Sequence, residues 1–225
     1  MRPALIYCNC APVEDLAVGL TGVNGLTGAV GLTGAVGLTG AVGLTGPSGG
    51  STIPFSSGII ISGATMVSAA PVMLGFGSHT VQVIDVLGES TSPPEAGGFA
   101  FPISQDGIIT GLQISSDLLV ASVASINVTP LTYEFTVYRA LAPSTNNGVS
   151  YTANPYVTTP LSTSITFTSV IAGTFYTAIN ITNSTLAVTA GDRIGVRVRT
   201  LIASDPSAAD ITQLSFSATL QYIPN

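Results

Sequence analysis

Two cysteines one residue apart, a single histidine and a few carboxylates are the side chains here with the reach to do chemistry. Cys8 and Cys10 are too close for a comfortable mutual disulfide, because Asn9 would have to fold sharply to bring them to bridging geometry. On neighbouring chains, either can form an inter-chain disulfide. They do not make a metal site with His79, since three ligands fall short of the usual set of four within one chain. As part of a hydrolytic triad, His79 would need a serine such as Ser78 or Ser104 and an acid such as Asp85 or Asp106. No nucleophile-elbow pattern surrounds any of them. Acids are too sparse for a convincing pair of catalytic carboxylates. Lysine is absent, which removes P-loop, Schiff-base and Ser-x-x-Lys chemistry. The residues predict neither an enzyme nor a cofactor.

What remains is a chain built for packing. Only 7% of its 225 residues are charged, against roughly 25% in an ordinary soluble domain. A surface so poor in charge suits a protein largely covered by its neighbours. Ser, Thr, Gly, Ala, Val and Ile dominate, which favours strands and tight turns over helices. The net charge is −6 and the five arginines (Arg2, Arg139, Arg193, Arg197 and Arg199) form no basic stripe with aromatics, so nucleic acid is not an expected partner. No secretory or twin-Arg leader is visible, because Met1-Arg2-Pro3 precedes only a short apolar patch, Ala4 to Tyr7. Delivery outside the general export route is the expectation.

Three segments follow one another. Residues 1–18 form an arm whose apolar start, Leu5, Ile6 and Tyr7, reads as a docking peptide. Residues 19–50 form a stalk of ten Gly-first triplets, from Gly19-Leu20-Thr21 to Gly46-Pro47-Ser48, closed by Gly49-Gly50. Glycine at every third residue is the pattern of a collagen triple helix, where nothing larger fits the axis. Yet Pro47 is the one proline in the triplets, and the underlying repeat is the hexad GLTGAV. Every second residue then gives Val30, Leu32, Val36, Leu38, Val42 and Leu44, with Gly34 and Gly40 between them. That is the period of a strand, and in a three-chain β-prism these side chains would face the axis as a stalk core. Collagen-like and β-stranded stalks both remain open, and both require association of about three chains.

Residues 51–225 read as one all-β head. The expected strands are Ile59–Ile61, Met73–Phe76, Thr80–Val86, Phe99–Pro102, Gly107–Ile114, Thr132–Tyr138, Ser164–Phe167, Tyr176–Ile181, Arg193–Val198 and Leu214–Tyr222. Turn-rich stretches at Gly88–Gly98, Pro143–Gly148 and Thr189–Asp192 separate them. Alternation is clearest in Tyr133, Phe135, Val137 and in Ile194, Val196, Val198, the second set leaving Arg193, Arg197 and Arg199 to the outside. Many short strands without a convincing helix favour a sandwich or jelly roll. The charge-free run Ile59–Gly77 is long enough to span a membrane, but Ser62, Gly63, Pro71 and Gly75 interrupt it. A buried pair of strands at a trimer interface is the preferred reading, and no membrane span is expected.

The order of motifs carries a resemblance. The triplets run into Ile53-Pro54-Phe55-Ser56-Ser57-Gly58, and downstream come Leu74-Gly75-Phe76-Gly77, Phe99-Ala100-Phe101-Pro102 and Asp106-Gly107-Ile108-Ile109. Val188-Thr189-Ala190-Gly191-Asp192-Arg193 and the terminal Ser215-Phe216-Ser217-Ala218-Thr219-Leu220 follow. Over about residues 46 to 225 this is similar to the collagen-like exosporium glycoproteins of spore formers, of the BclA and BclB type. The resemblance implies a trimeric jelly-roll head of the tumour-necrosis-factor-like kind on the outermost spore layer. The short, hexad-regular stalk and the Cys-bearing leader are closer to a subunit of a thin spore-appendage fibre.

The expectation is therefore a homotrimer whose stalks wind together and whose arms dock on the next subunit or on an exosporium anchor protein, with Cys8 or Cys10 locking the joint. Two rivals are an individually anchored nap glycoprotein or adhesin whose head binds a host ligand, and a phage tail-fibre tip.

Overall fold

Alternation of apolar and polar residues places most of the strands, and the pairing places the rest. The computed structural model describes residues 49–82, 93–121, 130–143, 148, 150 and 154–225. In chain order the strands are β1 (Ser51–Ile61), β2 (Val72–Leu74), β3 (His79–Val81), β4 (Phe101–Pro102), β5 (Gly107–Val120) and β6 (Leu131–Ala140). They continue as β7 (Val157–Phe167), β8 (Phe175–Thr182), β9 (Leu186–Val188), β10 (Arg193–Thr200) and β11 (Ile211–Pro224). Two short helices, α1 (Pro93–Gly98) and α2 (Asp205–Ala208), accompany them.

The first sheet has the order β1-β11-β5-β8, with β9 beside β5; the second has β3-β2-β10-β6-β7, with β4 beside β10. All strand pairs are antiparallel. The chain crosses between sheets after β1, β4, β5, β7, β9 and β10. That connectivity is the double Greek key of a jelly roll.

The inward positions of both sheets meet in one core. Phe216 of β11 packs edge-on against Tyr133 at 4.9 Å and Phe135 at 5.6 Å, both from β6 on the opposite sheet. Ile194, Val196 and Val198 of β10 are all buried there, as their alternation predicts. A smaller cluster forms on the outside of the second sheet, where Met73, Tyr138, Ala140 and Tyr156 meet Ala96 of α1. Tyr138 donates its hydroxyl to the Ala96 carbonyl at 3.1 Å. A Cβ at Gly195 would run into the Tyr138 ring, so the missing side chain makes room for this cluster.

Several elements differ from the sequence expectation. β1 begins at Ser51 rather than Ile59, and Pro54 is tolerated because β1 lies at a sheet edge. β7 begins at Val157 and carries Pro160, again on an edge strand, where the pairing register shifts. β3 ends at Val81, and the remainder of that expected strand, 83–86, lies outside the described residues. The turn-rich stretch ending at Gly98 contains the helical turn α1, which opens on Pro93-Pro94. The run Ile59–Gly77 is split between sheets, and Ile60, Met66, Val72, Met73 and Leu74 are buried within the chain itself. Among the described residues, no helix is long and apolar enough to cross a membrane.

Asp192 closes the Thr189–Asp192 turn. Its carboxylate accepts the Ala142 N–H at 2.8 Å and the Thr189 N–H at 2.9 Å, with Arg139 Nη1 3.8 Å away. The side chain is buried, so both donors would be orphaned by truncation. Asp192→Ala is expected to cost about 3 kcal/mol. At roughly 2–4 °C per kcal/mol, thermal unfolding should then show a Tm about 6–12 °C lower.

Candidate assembly interface

The outer face of the first sheet is an ordered array. Its cross-strand rows, from β1 through β11 and β5 to β8, are Ile61–Gln213–Leu119–Phe175, Ile59–Ser215–Asp117–Thr177, Ser56–Ser217–Ser115–Ile179 and Pro54–Thr219–Gln113–Ile181. Apart from Leu119, the middle two strands therefore present a polar trough, in which the Ser115 and Ser217 hydroxyls bond each other at 2.7 Å. The margins are apolar. Ile61 is 78% exposed on one side and Phe175 is 77% exposed on the other, with Ile59, Ile179 and Ile181 exposed beside them. Asp117 is the one charge in these four rows.

A second apolar feature flanks the β1 margin. Ser56 N–H donates to the Gly75 carbonyl at 2.6 Å, and Gly77 N–H donates to the Ser56 carbonyl at 3.1 Å. These bonds hold Phe76 outside the core, stacked on Phe55 at 5.7 Å and edge-on to Phe101 at 6.4 Å. The bend depends on Gly58, whose φ of 63° and close approach to the Gly77 carbonyl leave no room for a Cβ. Beside Phe76 lies an open groove of ≈ 350 Å³ lined by Pro54, Ser56, Gly77, Ser217 and Thr219.

The outer face of the second sheet carries Arg193, Arg197 and Arg199, as the alternation predicts, but they are not equally exposed. Arg199 Nε bonds Glu134 Oε2 at 2.6 Å. The Arg193 guanidinium lies 4.8 Å from the Tyr156 ring centre. Arg197, expected to face water, is only 5% exposed between Met73 on β2 and Thr136 on β6. Its Nε has no hydrogen-bond partner. Burial, with Arg199 nearby, brings its pKa down to about 10, and Glu134 opposes the shift.

The residues singled out for chemistry are dispersed. His79 donates Nδ1–H to the Ser57 carbonyl at 2.8 Å. Asp106 accepts the Ala190 N–H at 2.8 Å. Asp85 lies outside the described residues, as do Leu5, Ile6, Tyr7, Cys8 and Cys10 of the arm and Val30, Leu32, Val36, Leu38, Val42 and Leu44 of the stalk. Sequence reasoning did not single out Phe175, Ile179 or Phe76; the signal for the first two was the alternation of Phe175, Thr177, Ile179 and Ile181 in a strand flanked by polar neighbours.

No family model and no curated protein matches the chain. Among solved structures it is similar to an Eiger TNF from S. frugiperda. That likeness has a TM-score of 0.33 and 12% identity, over 77% of this chain and 94% of that one.

Proposed function

We propose that this chain is a structural subunit of a spore-surface fibre or appendage on the exosporium, built from homotrimers that join head to tail through the N-terminal arm. The observation that carries the reading is the outer face of the first sheet, with apolar margins on β1 and β8 and almost no charge between them. Large exposed apolar side chains ranged along both margins of a nearly uncharged sheet face suit an interface better than a free monomer. A second copy of the chain is the occupant that fits, because a charge-poor chain with a Gly-first repeat already demands self-association.

Packing the β1 margin of one head against the β8 margin of the next is a heterologous contact, and three such contacts close a ring. Each large side chain moved from water into the contact contributes about 1.5–3 kcal/mol. Docking of the arm, residues 1–18, on another subunit is also heterologous but does not close, so it propagates as a filament. Cys8 or Cys10 locks that joint. The motif order shared with exosporium glycoproteins supports the spore surface as its location.

Negative-stain electron microscopy of the full chain, with and without a reducing agent, tests the reading. Thin filaments are expected, weakened on reduction. Deleting residues 1–18 should leave soluble trimers and abolish the filaments; filaments persisting unchanged would sink it.

A further inference from the structure

β8 is a sheet edge without the usual protection. It ends the order β1-β11-β5-β8, and Phe175–Thr182 contains no charge, no proline and no register shift against β5. Natural edges are blunted by such devices or by being short. The other edges of the head follow that rule. β1 carries Pro54 and a register shift, and its Ser56 N–H and C=O are taken by Gly75 and Gly77. β7 carries Pro160 and a register shift, and β3 has only three residues. On β8, the Val120 N–H donates to the Thr174 carbonyl at 3.1 Å, beside the Leu119–Phe175 pair. Ladder bonds alternate along an antiparallel pair, so Phe175, Thr177, Ile179 and Ile181 turn their N–H and C=O groups away from β5. The Ile181 N–H is capped by Asn180 Oδ1 at 2.8 Å, and Asn180 Nδ2 is anchored on the Ser164 carbonyl at 2.7 Å. Among the described residues, the outward amides of Phe175, Thr177 and Ile179 have no partner. All of these residues are exposed, so a second strand can reach them.

We infer that β8 pairs with β8 of a second copy of the chain, antiparallel, about a two-fold axis at Thr177. The capped Ile181 and the strand start at Phe175 confine the free amides to 175–179, and Thr177 is the centre of that run. In the register that uses every free amide, Thr177 meets its own twin, and Phe175 meets Ile179 in both directions. Each pair exchanges both backbone bonds. Threonine opposite threonine and an aromatic opposite a β-branched residue are both favourable cross-strand pairs. The strand is therefore complementary to itself, and it brings no charge against its twin. The contact is isologous, so it joins two copies and closes. It draws on the amide rim of β8, whereas the proposed ring draws on side chains of the outer face. It thus goes beyond the proposed function and does not rest on it. So short a ladder is marginal between free heads, and it gains weight where heads are held side by side.

Cysteine cross-linking tests the register, because it traps a weak contact. The full chain carries Cys8→Ser and Cys10→Ser, one new cysteine is added on β8, and disulfides are formed in a glutathione redox buffer. Facing residues of a bonded pair have Cα atoms about 5.5 Å apart, within reach of a disulfide. Thr177→Cys should therefore give a two-chain product on a non-reducing gel. Phe175→Cys or Ile179→Cys alone should give at least about tenfold less, since each lies about 14 Å from its own twin. Mixing those two variants should restore the product. Adding Thr177→Pro to both partners of the mixture should remove it, because the proline deletes an outward N–H and leaves the ladder to β5 intact. Circular dichroism checks that the strands remain; if they do not, the cysteine variants alone decide. No product at Thr177→Cys, similar yields from all three single cysteines, or a mixed product that survives Thr177→Pro in a folded chain each overturns the inference. Trimers in sedimentation without the Thr177→Cys product leave the ring standing and remove this contact, and the product without trimers does the reverse.

Discussion

A head of residues 49–225 carrying Phe175→Asp and Ile179→Asp is expected to run as a folded monomer in sedimentation velocity, where the unaltered head is expected to run as the proposed trimer. Both side chains project from β8, an edge strand, and both are largely exposed in the single chain. Their replacement removes almost nothing from the chain's own core, so the head should keep its strand content. In the proposed trimer each head loses two apolar contacts of about 1.5–3 kcal/mol and gains two carboxylates that must be desolvated. Repeated at three contacts, that is enough to dissociate the ring at micromolar concentration. Trimers persisting with both aspartates in place would remove the outer face of the first sheet as the subunit interface.

Phe216→Ala should have the largest effect on folding. The ring is buried between Tyr133 and Phe135, joining β11 of one sheet to β6 of the other. Truncation leaves a cavity walled by two aromatics that cannot close over it, at a cost of about 3–5 kcal/mol. Against a total of roughly 5–15 kcal/mol for a domain, that is about a fifth or more of the stability. Urea unfolding followed by tyrosine fluorescence should show the midpoint falling sharply. Phe175→Ala, measured in the monomeric background, should shift it by less than about 0.5 kcal/mol. Similar midpoints for the two variants would mean that the sheets are not joined through Phe216.

The parts of this fold visible in the sequence are those where local pattern and tertiary burial agree. Tyr133, Phe135 and Val137 alternate with outward residues and all enter the core, as do Ile194, Val196 and Val198. β1 was hidden from Ser51 to Gly58 because Pro54 and the Ser56-Ser57-Gly58 run read as a junction. Only its place at the sheet edge accommodates the proline, and only pairing across to β11 explains a buried Ser57. The Ser57 hydroxyl accepts the Phe216 N–H at 2.9 Å and donates to the Gly58 carbonyl at 2.7 Å. Alternation put Arg197 on the correct face, but its burial is set among strands distant in sequence, β2 and β6, which no local pattern encodes. The low charge content pointed to association; the array of exposed apolar margins on the first sheet follows from the register of four strands, a long-range property.

The pairing of β1 has a mechanical consequence. β1 is the first strand after Gly49-Gly50, and it is paired with β11 from Ser51 against Tyr222 to Ile61 against Gln213. The bonds of such a ladder run across the strands. A pull on Gly50 directed along β1 therefore loads the whole ladder in shear, as in a lap joint, instead of peeling it open bond by bond. Tension entering the head by that route has to break the ladder collectively, so the N-terminal entry to the head is reinforced against a pull along that strand.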